Sequence, residues 1–272
     1  MRGSSQVFLW IASSIFLLPA PSARAQDPVR ATRYLSPARS TPAANHTFRP
    51  TVKIRRGLSS GTGTLIAARP GESLILTAAH VVQGDGSVEI ELHRYNLGVE
   101  ANLPGVGWPK SYPGEVVVAD PEADVALVRL KGLVALPFLA SLVSTDEEPR
   151  PGQHVTSVGI DQGMKLQSWE SRVRGVVRLN RNGEPDVNAR PYLITEKAPE
   201  HGRSGGGLFR DDGLLIGVCV GRIEFEGHRA IGLFASTASI RRLLDEPNAA
   251  AALRRFPALA SASRLNAKAS TP

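Results

Sequence analysis

Short runs of apolar and β-branched residues, separated by turn residues, fill the middle of the chain. Gly, Pro, Asn or Asp bounds most runs, and a charged, proline-containing segment at 144–153 leaves six runs before it and six after it. Runs of this length and spacing are typical of strands in an all-β sandwich or barrel. The twelve predicted strands are TVKIRR, GTLIAA, SLILTAAHVV, SVEIELH, GEVVVAD, DVALVRL, HVTSVGI, SRVRGVVRL, PYLITEK, GGLFRD, LLIGVCVG and HRAIGLFAS.

The pattern changes after the last predicted strand. Residues 236–246 begin with Ser and Thr and place apolar side chains at Ile240, Leu243 and Leu244, which predicts a short amphipathic helix. Residues 247–272 are rich in alanine and low in complexity, so we expect a largely disordered tail with room for a short helix.

The N-terminal residues have the features of an export signal. An early Arg2, an apolar run from Val7 to Leu18 and a small-x-small site ending at Ala25 predict a signal peptide over residues 1–25. The alternative is an uncleaved anchor. Residues 26–50 have no periodicity and predict a flexible leader. We therefore expect a secreted or periplasmic protein with no integral membrane segment after signal cleavage.

Charge and cysteine content exclude several classes of protein. Removing the signal peptide lowers Lys plus Arg from 32 to 30, leaves Asp plus Glu at 25, and so lowers the net charge from +7 to +5. The charges are interspersed, without a basic-aromatic pattern, so we expect no nucleic-acid partner. One cysteine, Cys219, permits no intrachain disulfide and lies in an apolar run, where a small buried hydrophobe is favoured over a reactive thiol.

The stretch EHGRSGGGLF, residues 200–209, places a single serine among glycines. Glycines allow tight turns that other residues cannot form, so Ser204 lies either in a linker or in a turn that presents a nucleophile. A serine nucleophile requires a base, and that base requires a third group to orient it.

Two residues could supply the base and the orienting group. His80 ends the apolar run LTAAHVV, where it is either a hydrogen-bonded core histidine or a base. Asp124 directly precedes the alternating strand VALVRL, where it is either a turn residue or a carboxylate drawn towards the interior.

Taken together, TAAH, DVAL and GRSGG in the order His, Asp, Ser resemble the trypsin/chymotrypsin-like serine peptidases, and the exported bacterial HtrA-like branch most in style. The resemblance covers about residues 50–245. It implies two six-stranded antiparallel β-barrels, about 51–143 and 150–246, within a peptidase domain over 51–246, and a short C-terminal helix. We expect no peptide-binding PDZ domain after it.

The resemblance also implies roles for individual residues. Ser204 would be the nucleophile, His80 the proton shuttle and Asp124 the orienting carboxylate, while the backbone N–H groups of Gly202 and Ser204 would form the oxyanion hole. Ala198 and Val220 would line the specificity pocket, which would then favour small or aliphatic side chains.

Arg203 departs from the family pattern. Digestive relatives have an aspartate there that pairs with a freshly cut N-terminus, so that activation switch is predicted to be absent. An arginine leaves open whether the oxyanion loop is formed in the free protein; otherwise Arg203 is a surface charge.

The leading hypothesis is a serine endopeptidase that acts on proteins or peptides through an acyl-enzyme intermediate, with no cofactor and no metal. The alternative is a catalytically silent trypsin-like fold that binds peptides or proteins. Esterases of the α/β-hydrolase class are disfavoured, because their triad runs in the order Ser, Asp, His. The oligomeric state remains open.

Overall fold

The structure, a computed structural model of the 272-residue chain, describes residues 8–9, 42–98, 107–132, 136–143, 149–163, 165–180, 182–224 and 229–256. The predicted signal peptide falls outside these ranges, apart from a two-residue strand at Phe8–Leu9, β1. The other strands are β2 Thr51–Arg56, β3 Ser59–Arg69, β4 Glu72–Thr77, β5 Val88–Leu92, β6 Lys110–Asp120, β7 Val125–Lys131, β8 His154–Asp161, β9 Lys165–Leu179, β10 Arg190–Thr195, β11 Gly207–Phe209, β12 Leu215–Glu224 and β13 Ile231–Ser236. The α-helices are α1 Pro42–Thr47, α2 Thr237–Asp245 and α3 Pro247–Leu253, and short 3-10 helices occupy Ala79–Val82 and Arg94–Leu97.

Strands β2 to β7 form the first closed barrel, in the order β2-β3-β4-β7-β6-β5. Its interior is lined by side chains that alternate along the strands, such as Val52, Ile54 and Ile75, all fully buried. Inward-facing Val and Ile suit a pleated strand with one face in a core.

Strands β8 to β13 form the second barrel. Five antiparallel pairings give the order β12-β11-β8-β9-β10-β13, a further pairing of β12 with β13 closes the sheet, and β1 adds to the outer edge of β12. All twelve strands predicted from the sequence are present, six in each barrel. The predicted fold class is therefore confirmed.

The largest apolar cluster lies between the barrels. It joins Leu76 and Leu127 of the first barrel to Val158 and Phe209 of the second, and α2 covers it with Ile240. Because this cluster contains side chains from both barrels, the loops at their junction have a rigid support on each side.

Ordered structure extends beyond the segment predicted as the peptidase domain. In the predicted tail, α3 packs Ala249 and Ala252 into the interbarrel cluster, and Phe256 is 5% exposed. In the predicted leader, Arg49 is buried and its guanidinium lies 4.7 Å from the centre of the Phe138 ring. Alanine-rich composition conceals such packing, because small side chains allow a helix to approach a core closely without giving a strong hydrophobic pattern.

Within the described ranges, no helix combines the length and apolar character needed to cross a bilayer.

Candidate active site

His80 and Asp124 meet through two hydrogen bonds. His80 lies in the 3-10 helix after β4, and its Nδ1 is 2.6 Å from Asp124 Oδ2. The His80 backbone N–H donates to the other carboxylate oxygen, Oδ1, at 2.8 Å. Side-chain exposures of 21% for His80 and 12% for Asp124 leave the pair mostly buried and partly accessible. With Nδ1–H donated to the carboxylate, Nε2 keeps its lone pair free to accept a proton.

A turn between β6 and β7 aims Asp124 at the imidazole. Asp124 has φ +52°, in the left-handed region that few non-glycine residues adopt. Asp120 opens the turn by accepting the N–H groups of Glu122 and Ala123 at 2.9 and 3.1 Å. From the second barrel, Arg190 Nε binds Asp120 Oδ2 at 3.0 Å. Both barrels therefore hold the turn that positions the Asp124 carboxylate.

Tyr192 of β10 holds the same turn. Its hydroxyl donates to the carbonyl of Glu122 at 2.5 Å. Burial, followed by the nearby Asp124 carboxylate, raises the pKa of the Tyr192 phenol. The phenol therefore stays protonated and remains a hydrogen-bond donor.

The loop that carries Ser204 requires its glycines. Gly205 has φ +87°, and a Cβ there would lie 2.0 Å from the Thr62 carbonyl oxygen. Gly202 has φ +88°, and a Cβ there would lie 2.6 Å from the Ile160 carbonyl oxygen. Only glycine accepts both this backbone conformation and this close approach.

Hydrogen bonds fix the orientation of two peptide units in this loop. The His201 carbonyl accepts the Gln162 N–H, and the Arg203 carbonyl accepts the Gly206 N–H at 2.8 Å. In a planar trans peptide the N–H points away from the carbonyl, so the N–H groups of Gly202 and Ser204 are directed away from these partners. Neither N–H has an acceptor within the described part of the chain.

Thr62 of β3 ties the loop to both barrels. Its hydroxyl donates to the Gly202 carbonyl at 2.8 Å and accepts the Ile160 N–H at 2.9 Å. Its backbone N–H donates to the Ser204 carbonyl at 2.7 Å. The Thr77 hydroxyl in turn donates to the Thr62 carbonyl at 2.7 Å.

The Ser204 backbone and the side chain of Val81, the residue after His80, both lie close to Gly61. A Cβ on Gly61 would lie 2.8 Å from the Ser204 carbonyl oxygen and 2.5 Å from a methyl group of Val81, the residue after His80. The serine loop and the histidine segment therefore pack against the same glycine. Among the described residues, no hydrogen bond joins the Ser204 hydroxyl to the His80 ring.

Arg203 is not a surface charge. Its side chain is fully buried and forms an ion pair with Asp161 at the end of β8, with Nη2 2.6 Å from Oδ2. The alternative interpretation of Arg203 as an exposed charge is therefore wrong. The sequence lacked a visible partner for it, since the acidic residue lies 42 positions away.

A cavity opens beside the histidine, and the predicted pocket residues differ in their relation to it. Val220 lies at an irregularity in the pairing of β12 with β13 and lines this cavity, whereas Ala198, half-buried after β10, is not among its lining residues. The cavity is lined by His80, Gln83, Pro121, Glu122, Asp124, Leu179, Asn180, Tyr192, Val220 and Leu233.

The described residues contain no group of three or more His, Cys, Asp or Glu side chains arranged to hold a metal ion. Cys219 is fully buried, and burial raises the pKa of its thiol to about 12.

Comparison with known protein families assigns the chain to one of them. The family model of the trypsin-like peptidase domain matches residues 61–218, a range that contains His80, Asp124 and Ser204. The chain belongs to the trypsin-like peptidase domain family. The predicted resemblance is thereby confirmed at the level of the family.

Several curated members of this family and its relatives are similar in sequence. The chain is 29% identical to Serine protease HTRA1 of Xenopus laevis over 164 residues, which cover 59% of this chain and 31% of that protein. It is 31% identical to Putative protease Do-like 14 of Arabidopsis thaliana over 170 residues, 62% of this chain and 37% of that protein. The chain thus spans about a third of the length of the curated relatives it matches.

A bacterial relative and a solved protease extend the comparison. The Probable periplasmic serine endoprotease DegP-like of Chlamydia pneumoniae is 25% identical over 188 residues, 68% of this chain and 34% of that protein. An inactive form of Rv3671c from M. tuberculosis H37Rv is similar with a TM-score of 0.57 and 25% identity, covering 75% of this chain and 88% of that one. The active form of the Rv3671c protease has a TM-score of 0.58 at 23% identity, covering 84% and 92%.

Thr62, Asp161 and Arg190 hold the segments that carry the candidate site residues but were not predicted. Each binds a partner that is far away in the sequence, and no local sequence pattern predicts such a pairing. The two glycines that flank Thr62 in the sequence are a local sign of a close backbone approach, but they do not single out its hydroxyl.

Proposed function

We propose that the protein is a serine endopeptidase that cleaves proteins or peptides, with Ser204 as nucleophile, His80 as general base and Asp124 as orienting carboxylate. The observation that carries this proposal is the two-point hold of Asp124 on His80, on its ring and on its backbone N–H. A structural histidine needs no such hold, whereas a proton shuttle needs one ring orientation and one tautomer.

In the proposed reaction, the Ser204 hydroxyl oxygen attacks the carbonyl carbon of the scissile bond while His80 Nε2 takes the hydroxyl proton. The resulting imidazolium, stabilised by Asp124, gives that proton to the leaving amine as the C–N bond breaks. A water molecule then attacks the acyl-serine ester by the same route, which releases the carboxylic acid and restores the serine.

The orientation of the Gly202 and Ser204 peptides supports an oxyanion hole. In each of the two peptides the carbonyl accepts a backbone hydrogen bond, so the N–H points to the opposite side. Neither N–H donates to an acceptor among the described residues. In comparable sites, one such donor stabilises the transition state by about 2.7–4 kcal/mol.

The substrate would enter beside His80. The cavity there has apolar walls in Leu179, Val220 and Leu233, together with Tyr192 and Glu122. We infer that Val220 contributes to substrate binding and that small or aliphatic side chains fit this wall. Ala198 stays a prediction for the floor of the specificity pocket.

We infer a secreted or periplasmic location. The signal-like residues 1–25 support it, and a relative bearing the name periplasmic serine endoprotease is consistent with it.

One observation favours the alternative of a peptide- or protein-binding module without turnover. The Ser204 hydroxyl and the His80 ring are not hydrogen-bonded to each other. In enzymes without substrate such bonds are often long and tighten on binding, so a measurement of serine reactivity distinguishes the two functions.

Labelling with a fluorophosphonate probe separates the two functions. The exported chain, from Gln26 onward, should react covalently at one serine, and Ser204→Ala should abolish the reaction. Ser60→Ala, which removes an exposed serine of β3, should label like the unsubstituted protein. A folded protein that does not label would support the binding module instead.

A further inference from the structure

Arg203 lies between the two residues whose N–H groups we assign to the oxyanion hole, and its side chain is fully buried. The Arg203 side chain forms five hydrogen bonds. Nε and Nη2 bind the two carboxylate oxygens of Asp161 at 2.8 and 2.6 Å, Nη1 binds the carbonyl and hydroxyl oxygens of Ser157 at 3.0 and 3.2 Å, and Nη2 also binds the Gln167 carbonyl at 3.3 Å.

The surrounding strands are shaped to accept this side chain. A Cβ on Gly159 of β8 would lie 2.7 Å from Arg203 Cγ, so a larger residue there would displace the arginine. On the other side the guanidinium lies 5.1 Å from the centre of the Trp169 ring, within range of a cation–π interaction. A fork-shaped donor bound to both oxygens of one carboxylate has a single preferred orientation.

The backbone of Arg203 links the two oxyanion peptides, because its carbonyl shares a peptide with the Ser204 N–H and its N–H shares a peptide with the Gly202 carbonyl. Its N–H donates to the Glu200 carbonyl at 3.2 Å, and its carbonyl accepts the Gly206 N–H at 2.8 Å. Asp161, its ionic partner, directly precedes Gln162, whose N–H holds the His201 carbonyl. One turn of the second barrel therefore holds the loop at two points, by a side chain and by a backbone N–H.

We propose that the Arg203–Asp161 ion pair is a positioning device that holds residues 201–204 with the Gly202 and Ser204 N–H groups presented before any substrate binds. The inference rests on the proposed function of Ser204. Both charges belong to the second barrel, so the loop forms without a cut N-terminus. Arg203 does not touch the reacting atoms and acts through the backbone on either side of it.

A purely structural ion pair would give a different result on mutation from a positioning pair. Loss of a structural pair lowers stability but leaves chemistry in the folded fraction unchanged. Loss of a positioning pair slows bond formation at Ser204 in protein that is still folded, while the affinity for the reagent changes little.

The test uses the exported chain with Arg203→Met combined with Asp161→Asn, which removes both charges and leaves neither one buried alone. Arg203→Lys is the second variant, because it keeps the charge but cannot form the fork. Arg129→Met is the matched control: Arg129 contacts the buried Glu72 at 2.7 Å, in the first barrel. Circular dichroism and thermal unfolding identify the folded fraction of each protein.

The first readout separates the maximal rate of fluorophosphonate labelling from the reagent concentration at half that rate. We expect the double variant to lose about 100-fold in maximal rate, the effect of losing one oxyanion donor, and Arg203→Lys to lose about tenfold, both with half-saturation nearly unchanged. Arg129→Met should label at the original maximal rate. Unchanged maximal rates in the folded double variant and in Arg203→Lys would overturn the proposal.

The second readout does not require activity. Amide hydrogen exchange of residues 199–209 should accelerate at least tenfold in the double variant at the Arg203, Gly205 and Gly206 amides, while β3 stays protected. Equal protection in the two proteins would overturn the proposal. If the unsubstituted protein does not label at all, the proposed function fails, and exchange alone decides whether the ion pair holds the loop.

Discussion

At the scale of single residues, Arg203 and Thr62 are two buried polar residues next to the Ser204 loop, and each has several hydrogen-bond partners. The Arg203 side chain has five hydrogen bonds, and Thr62 uses its hydroxyl and its backbone N–H to reach three different residues. A buried polar group without partners costs free energy, so networks that are fully satisfied restrict the loop to one conformation.

Cys219 provides a residue-scale prediction. Because the thiol is fully buried and its pKa is raised to about 12, the thiolate is nearly absent at pH 8. We expect no reaction with Ellman's reagent in the folded protein and one equivalent after addition of guanidinium chloride. Rapid reaction without denaturant would contradict the burial of this strand.

At the scale of elements, the strands follow closely from the sequence, whereas the ends of the domain do not. Residues Val125 to Val128 of β7 are all apolar and all buried, as a strand packed on both faces requires, and the turn residues around the strand mark its limits. Helix α3 was not predicted as part of the packed domain, because its alanines show no amphipathic pattern, and only contact with the interbarrel cluster gives them a core position. The order of the motifs along the chain likewise indicated His80, Asp124 and Ser204 as candidate site residues. It could not indicate Asp161 as the partner of Arg203.

The start of β8 provides an element-scale prediction. His154 Nδ1 lies 2.6 Å from Asp211, in the turn after β11, and Nε2 lies 3.6 Å from Glu170 of β9. The hydrogen bond to Asp211 is the main cause that raises the pKa of His154 above its ordinary value near 6.5. A raised pKa in the folded state means that the protonated histidine stabilises the fold below pH 6.5 and that this contribution disappears as pH rises through the raised value.

We therefore expect His154→Gln to reduce the free energy of unfolding more at pH 5.5 than at pH 9. Urea denaturation at both pH values measures the difference, which should be small because the side chains are exposed. His46→Gln is the control, because the hydrogen bond of this histidine is with the Leu139 carbonyl and not with a carboxylate. A larger effect at pH 9 would refute the assignment.

At the scale of the whole molecule, the proposed site depends on two barrels that pack against each other through a shared apolar cluster. Asp124 comes from the first barrel and Ser204 from the second, while Arg190 and Thr62 cross between them. The order of motifs in the chain predicted that these residues belong together. Their positions in three dimensions depend on hydrogen bonds between the two barrels. Such bonds cannot be predicted from any single segment of the sequence.

Thr62→Val tests this connection between the barrels. The substitution keeps the shape of the side chain but removes the hydroxyl that binds Gly202 and Ile160, so both backbone groups lose a partner. We expect a loss of about 1–3 kcal/mol in the free energy of unfolding, together with slower fluorophosphonate labelling.

Thr64→Val is the matched control two residues along the same strand. Thr64 is also fully buried, but its hydroxyl has no hydrogen-bond partner in the described part of the chain. Its replacement should leave the free energy of unfolding unchanged or slightly raised. Denaturant titrations of both variants measure the contrast, and equal losses would show that the Thr62 hydroxyl contributes nothing specific.

The left-handed backbone of Asp124 restricts how an inert version of this protein should be made. Alanine at that position would relax the main chain as well as remove the carboxylate, so a lost signal would have two causes. Asparagine tolerates the same dihedral angles and retains one oxygen for the His80 amide. Replacement of Ser204 leaves the turn before β7 untouched, which makes it the cleaner choice for trapping bound peptides in crystals or in pull-down experiments.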